Sequence, residues 1–215
     1  MKTTLVTLAF LVFLTGCKGD KRYRDTEHTI TADSTSAVGS IELFQQELNE
    51  EFRNPETSPL KDRDRKHFRG LEFFPIDTTL RVKAKLERTP EELPFFMPTT
   101  TDRETEEVRY GILYFRIGGK EYRLNVYQSQ ELITREGFED YLFLPFSDAT
   151  NGEETYGGGR YMDLRIPEGD EIVLDFNKAY NPYCAYNKKY SCPIVPKENT
   201  LSVPVRAGVK AFEGQ

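Results

Sequence analysis

Apolar residues are distributed along this chain in four distinct ways. From Leu5 to Leu14 they form a run of about ten residues, interrupted only by Thr7. From Lys18 to Ser40 the chain is rich in Lys, Asp, Ser and Thr and has little to bury. Between Ile41 and Arg53 the apolar positions Ile41, Phe44, Leu48 and Phe52 recur at spacings of three and four, the period of one helical face. Ser40 is placed to cap that helix, and Asn54-Pro55 ends it. Beyond it the period drops to two. Leu80, Val82, Ala84 and Leu86 alternate with Arg81, Lys83 and Lys85, the pattern of a strand with one dry and one wet face.

The same reasoning predicts strands over Leu71–Pro75, Tyr110–Ile117, Glu121–Tyr127, Tyr141–Phe146, Tyr161–Ile166 and Glu171–Phe176, with an edge strand at Thr200–Val205. Gly118-Gly119-Lys120 reads as a hairpin turn, and Pro167–Asp170 as a tight turn between the last two central strands. Pro90, Pro94 and Pro98 break up the stretch around Phe95-Phe96-Met97, which either covers one end of the sheet or forms an exposed aromatic lip. Seven or eight short strands and one N-terminal helix predict a mainly β domain, an antiparallel β-barrel or β-sandwich-like fold.

The first apolar run is too short to span a hydrocarbon core of about 30 Å, and after Met1-Lys2 it suits a signal peptide. It ends in Leu14-Thr15-Gly16-Cys17, which resembles the lipobox of bacterial lipoproteins. The resemblance implies a signal peptide at 1–16, acylation of Cys17, a polar tether over 17–40 and one globular domain over 41–215. The expected location is the bacterial cell envelope, with a lipid anchor as the membrane partner and inner or outer membrane left open. Loss of residues 1–16 removes one lysine and moves the formal charge from -6 to -7. No basic footprint for nucleic acid accompanies that balance. Lys61–Lys66, KDRDRK, reads as a solvated turn or local ion-pair network because aspartates dilute its charge.

Chemistry-bearing residues crowd between Pro145 and Asn199. Glu154, Asp148, Asp163 and Asp175 supply carboxylates, and Arg160 supplies a planar guanidinium suited to an anion. Asn177 shares a strand face with Asp175 if the strand continues, while Asn181, Tyr156, Tyr180, Tyr183 and Tyr186 offer polar tips on a contact surface. Gly157-Gly158-Gly159 lacks the lysine and hydroxyl of a phosphate loop. Cys184 and Cys192, eight residues apart, favour a disulfide outside the cytoplasm; reduced thiols and metal ligation are the alternatives, the latter short of ligands with His67 the only domain histidine. No cofactor is implied. Each polar residue also has a structural reading: Arg160 pairing with Glu154 or Asp175, the asparagines satisfying loop backbone, the tyrosines sealing a domain end.

Several motifs resemble one family. They include Ser58-Pro59-Leu60, Phe68-Arg69-Gly70-Leu71, Phe73-Phe74-Pro75, Pro145-Phe146, Glu154-Thr155-Tyr156, Gly158-Gly159-Arg160-Tyr161, Asp175-Phe176-Asn177, Ala179-Tyr180-Asn181-Pro182, Cys184-Ala185-Tyr186, Cys192-Pro193 and Glu198-Asn199. Together they resemble DUF1684, a bacterial domain of unknown function, over roughly 41–210. The resemblance implies domain identity and no reaction. The expected function is binding of a small polar or anionic ligand such as a sugar, peptide or cell-wall fragment, centred on Glu154, Arg160, Tyr156, Asp175, Asn177, Tyr180 and Asn181. On that reading Arg160→Ala impairs anion binding more than folding. Two other functions stay open: a carboxylate-dependent hydrolase using Glu154, Asp148 and Asp175, and a structural or assembly lipoprotein.

Overall fold

The computed structural model of the chain describes residues 36–212. Helix α1 runs Ala37–Arg53, four residues longer at its start than the apolar period predicts. Ser36, not Ser40, is its cap: the Ser36 hydroxyl accepts from the Gly39 N–H at 2.9 Å, while Ser40 sits inside the helix and donates to the Ala37 carbonyl at 3.0 Å. Leu48 and Phe52 pack into a cluster with Leu60, Leu71, Tyr186 and Val209. KDRDRK forms a short helix, α2 (Asp62–His67), with an Asp62–Arg65 ion pair at 3.3 Å.

Seven strands follow: β1 (Arg81–Arg88), β2 (Phe95–Pro98), β3 (Glu104–Ile117), β4 (Lys120–Ser129), β5 (Tyr141–Phe146), β6 (Arg160–Arg165) and β7 (Glu171–Asp175). All pair antiparallel in one sheet of order β6-β5-β4-β3-β1-β7, with β2 added on β3. The β3–β4 hairpin turns on Gly118 and Gly119, whose φ of 57° and 81° match the mirror-image turn that twisted strands require. The fold class predicted from the sequence is therefore observed, with a specific form: a curled half-barrel. Leu71–Pro75 and Thr200–Val205 do not become strands. Each contributes one isolated bridge, Phe73 to Val209 and Thr200 to Ser147.

Pro167–Asp170 does connect β6 to β7, yet these strands are not paired with each other; they are the two ends of the sheet. The curl brings both ends to one open side, where the barrel stops short of closure. Leu113, Leu124, Leu142, Leu144, Met162 and Leu174 fill the inner face. The outer face carries Met97, Tyr127, Tyr141, Phe143 and Tyr161 under the C-terminal loops. Strand β5 is buried along its whole length because both faces are covered, which explains the continuous apolar reading of Tyr141–Phe146. Phe95-Phe96-Met97 is β2: Met97 is buried while Phe96 stays 65% exposed.

Candidate functional site

The sequence places Arg160 at the centre of a ligand site; the structure places it in the core. Its side chain is fully buried and pairs with Asp148, Nη2 to Oδ2, at 2.8 Å. The same Nη2 donates to the Val205 carbonyl at 2.8 Å, and Nη1 donates to the Ala207 carbonyl. Asp148 Oδ1 accepts from Thr150 N–H at 2.9 Å, Thr150 Oγ1 at 2.7 Å and Val205 N–H at 3.0 Å. Both charges are spent on holding the C-terminal segment and the 148–155 turn to β6. Both side chains are cut off from solvent. Gly159 makes this entry possible: its φ is 89°, and a Cβ there would lie 2.8 Å from the Phe146 carbonyl oxygen and 2.5 Å from Val195 Cγ2. Of the glycine run, Gly159 thus serves close packing.

The remaining candidates separate. Glu154 pairs with Arg206, not Arg160: Arg206 Nε lies 3.0 Å from both its carboxylate oxygens. Asn177 is buried in a 3-10 turn beyond the end of β7, bonded to Asp175 Oδ1 at 2.8 Å and to the backbone of Asp77 at 2.9 Å. Asn181 holds the Lys210 carbonyl at 2.8 Å. These two asparagines satisfy backbone. Tyr156 lies with its hydroxyl 3.8 Å from Cys184 Sγ. Cys184 and Cys192 are free cysteines, not a formed disulfide, and the pair stands at 3.0 Å. Tyr183 donates to Glu51 of α1, and Tyr186 is buried against Phe52.

An open cleft of about 590 Å³ lies where the half-barrel fails to close. One wall is β6, with Met162, Asp163, Leu164 and Arg165. The other is β7 and its end, with Ile172, Val173, Asp175 and Lys178, alongside Arg81 at the start of β1. Leu43, Phe44 and Glu47 of α1 close it from above. Phe44, expected in the core from its helical spacing, is half-buried and lines this wall. Asp163 accepts from the hydroxyls of Tyr180 at 2.6 Å and Tyr141 at 2.8 Å. Of the candidates named from the sequence, Asp163 and Asp175 line the cleft directly and Tyr180 reaches it through Asp163.

Asp175 is the least satisfied group there. It is 8% exposed, its Oδ2 has no hydrogen-bond donor among the described residues, and Arg81 Nε stands 3.5 Å from that oxygen. The cleft therefore sets the cations Arg81, Arg165 and Lys178 among the carboxylates Glu47, Asp163 and Asp175, beside apolar walls. Arg81 and Lys178 escape sequence reasoning because each reads as an ordinary solvent-facing cation. The one signal was local: Lys178 directly follows Asp175-Phe176-Asn177.

The family described as Protein of unknown function (DUF1684) matches residues 66–210. The solution NMR structure of an uncharacterized protein from Haloarcula marismortui superposes with a TM-score of 0.65 at 32% identity, covering 83% of this chain and 96% of that one. No curated protein matches the chain. The matched segment contains β6, β7, Arg81 and Lys178, whereas the α1 wall of the cleft precedes it.

Proposed function

We propose that this chain, which belongs to the DUF1684 family of proteins of unknown function, binds a small anion bearing a hydrogen-bond donor in the cleft between β6, β7 and α1. The observation that carries this reading is the buried Asp175 Oδ2, left without a donor beside the Arg81 guanidinium. Asp175 Oδ2 has the Arg81 ion pair but no hydrogen bond among the described residues, and a ligand hydroxyl or amine would supply one. Lys178 and Arg81 match the ligand's negative charge, and Leu43, Phe44 and Val173 cover its carbon skeleton. An acidic sugar or a short peptide has this combination of groups.

Hydrolysis by paired carboxylates has less support. Glu154, Asp148 and Asp175 are each ion-paired with a separate arginine, Arg206, Arg160 and Arg81 respectively. A purely structural role leaves the open cleft unexplained. Titration of glucuronic acid and of dialanine into the protein, followed by amide chemical shifts, tests the binding reading. At least one probe is expected to shift residues of β6 and β7, and Arg81→Ala/Lys178→Ala is expected to weaken it by about tenfold or more, consistent with loss of two charge-assisted contacts. Equal affinity in the double variant, or no shift with either probe, rejects the site.

We also propose that the domain is held at the bacterial cell envelope through acylated Cys17. Support comes from the apolar run Leu5–Leu14 followed by Leu14-Thr15-Gly16-Cys17; both lie outside the described residues. In a bacterial host the chain is expected to take up labelled palmitate and sediment with membranes, and Cys17→Ser to lose both properties. Label retained by Cys17→Ser would reject the anchor.

A further inference from the structure

Away from the cleft, two thiols meet at the junction of separately anchored segments. Cys192 belongs to the β2 side: its N–H donates to Thr100 Oγ1 at 3.1 Å, and its carbonyl accepts from Thr100 N–H at 2.9 Å. Cys184 belongs to the α1 side, in the 3-10 turn Tyr183–Ala185, between Tyr183 bonded to Glu51 and Tyr186 packed edge-on against Phe52 at 4.7 Å. The thiols stand at 3.0 Å, and a sulfur–sulfur bond of about 2.05 Å requires only about 1 Å of further approach. Their surroundings differ. Cys192 is 6% exposed, whereas Cys184 is half-buried.

We propose that Cys184 and Cys192 form a redox-active dithiol, in which Cys184 exchanges with small disulfides from solution and Cys192 resolves the adduct, clasping the α1 side of the domain to its β2 side. In the first step Cys184 releases its proton to solvent and its sulfur attacks one sulfur of a disulfide RSSR. The bond between the two R–S sulfurs breaks, and one RS⁻ leaves and is protonated to RSH. Cys192 then loses its proton and attacks Cys184 Sγ, displacing the second RS⁻, which is likewise protonated. The protein dithiol is oxidised by two electrons, and RSSR is reduced to two RSH.

The local chemistry assigns the order of attack. Hydrogen bonding from Cys192, assisted by Tyr156 and Thr100, lowers the Cys184 thiol to about 6 against the opposing effect of burial. The bond to Cys184 and then burial push the Cys192 thiol up. Attack by thiolate is favoured by ionisation and access, and of the two thiols Cys184 has the lower pKa and the greater exposure. Neither cysteine lines the cleft, so the ligand proposal and this one stand or fall separately.

The test uses the full chain, first reduced, then exposed to glutathione disulfide, quenched with N-ethylmaleimide and mapped by peptide mass spectrometry, which separates both sites from Cys17. In the wild type both thiols are expected to become resistant to alkylation together, without a lasting glutathione adduct. Cys192→Ser is expected to accumulate glutathione on Cys184, and Cys184→Ser to react at Cys192 about tenfold more slowly or less. Wild-type protein that keeps both thiols alkylatable after oxidation overturns the proposal, even if the serine variants fail to fold. Equal adduct formation in the two variants also overturns it.

Discussion

Arg160→Met is expected to lower unfolding stability by about 3–5 kcal/mol, the cost of breaking a buried ion pair from one side. Methionine fills much of the same space, so a cavity contributes little to the loss. The cost comes from what is left behind. Asp148 keeps a buried negative charge with its Oδ2 partner gone, and the carbonyls of Val205 and Ala207 lose their donors. Each of these groups is cut off from solvent, so water does not replace the guanidinium. Urea denaturation measures this as a lower midpoint at unchanged slope. Binding at the cleft is expected to follow folded fraction alone, the reverse of the expectation that Arg160 contacts the ligand. A loss below about 1 kcal/mol would contradict the clamp role assigned to this pair.

Raising the pH from 4.5 to above 7 is expected to cost about 3 kcal/mol of stability through Glu107 alone. Glu107 lies on the outer face of β3, opposite Phe95 of β2 and Ser129 of β4, and is 3% exposed. Burial raises its carboxyl from 4.5 to about 7, with the Thr105 hydroxyl and the Arg103 guanidinium pulling the other way. Its Oε2 has no hydrogen-bond partner among the described residues, and Arg109, two residues along, is engaged by Glu92. Below 4.5 both folded and unfolded chains hold the proton. Between 4.5 and 7 the unfolded chain has released it and the folded chain has not, so each rise in pH favours unfolding. Above about 7 both have ionised and the loss levels off. Glu107→Gln removes this group's contribution. Denaturation of both proteins across the pH range should give curves that diverge through this window; parallel curves would dismiss the buried acid.

Arg160 and Asp175 show how far residues alone carry the reading. Both are polar groups in a dense motif region, and both matter, but for opposite reasons. Periodicity reports which face of an element is dry, and so it predicted α1, β5, the β3–β4 hairpin and the antiparallel class, because those depend on neighbours close in sequence. It did not report what a polar residue meets across the fold. Arg160 on an inner face of β6 looks like a ligand donor until Val205 and Ala207 come round to accept its hydrogens.

The amino-acid sequence by itself determined a mainly β domain behind one amphipathic helix and the family to which it belongs. Tertiary structure decided that β6 and β7, adjacent in the chain, end up at opposite ends of the sheet order, and that the cleft opens between them under α1. The physical reason is curl: pairing order and twist are set by side-chain packing summed over the whole sheet, and the gap left by incomplete closure has no local sequence signature. Arg81 and Lys178 acquire a candidate role only because that curl sets them beside Asp175.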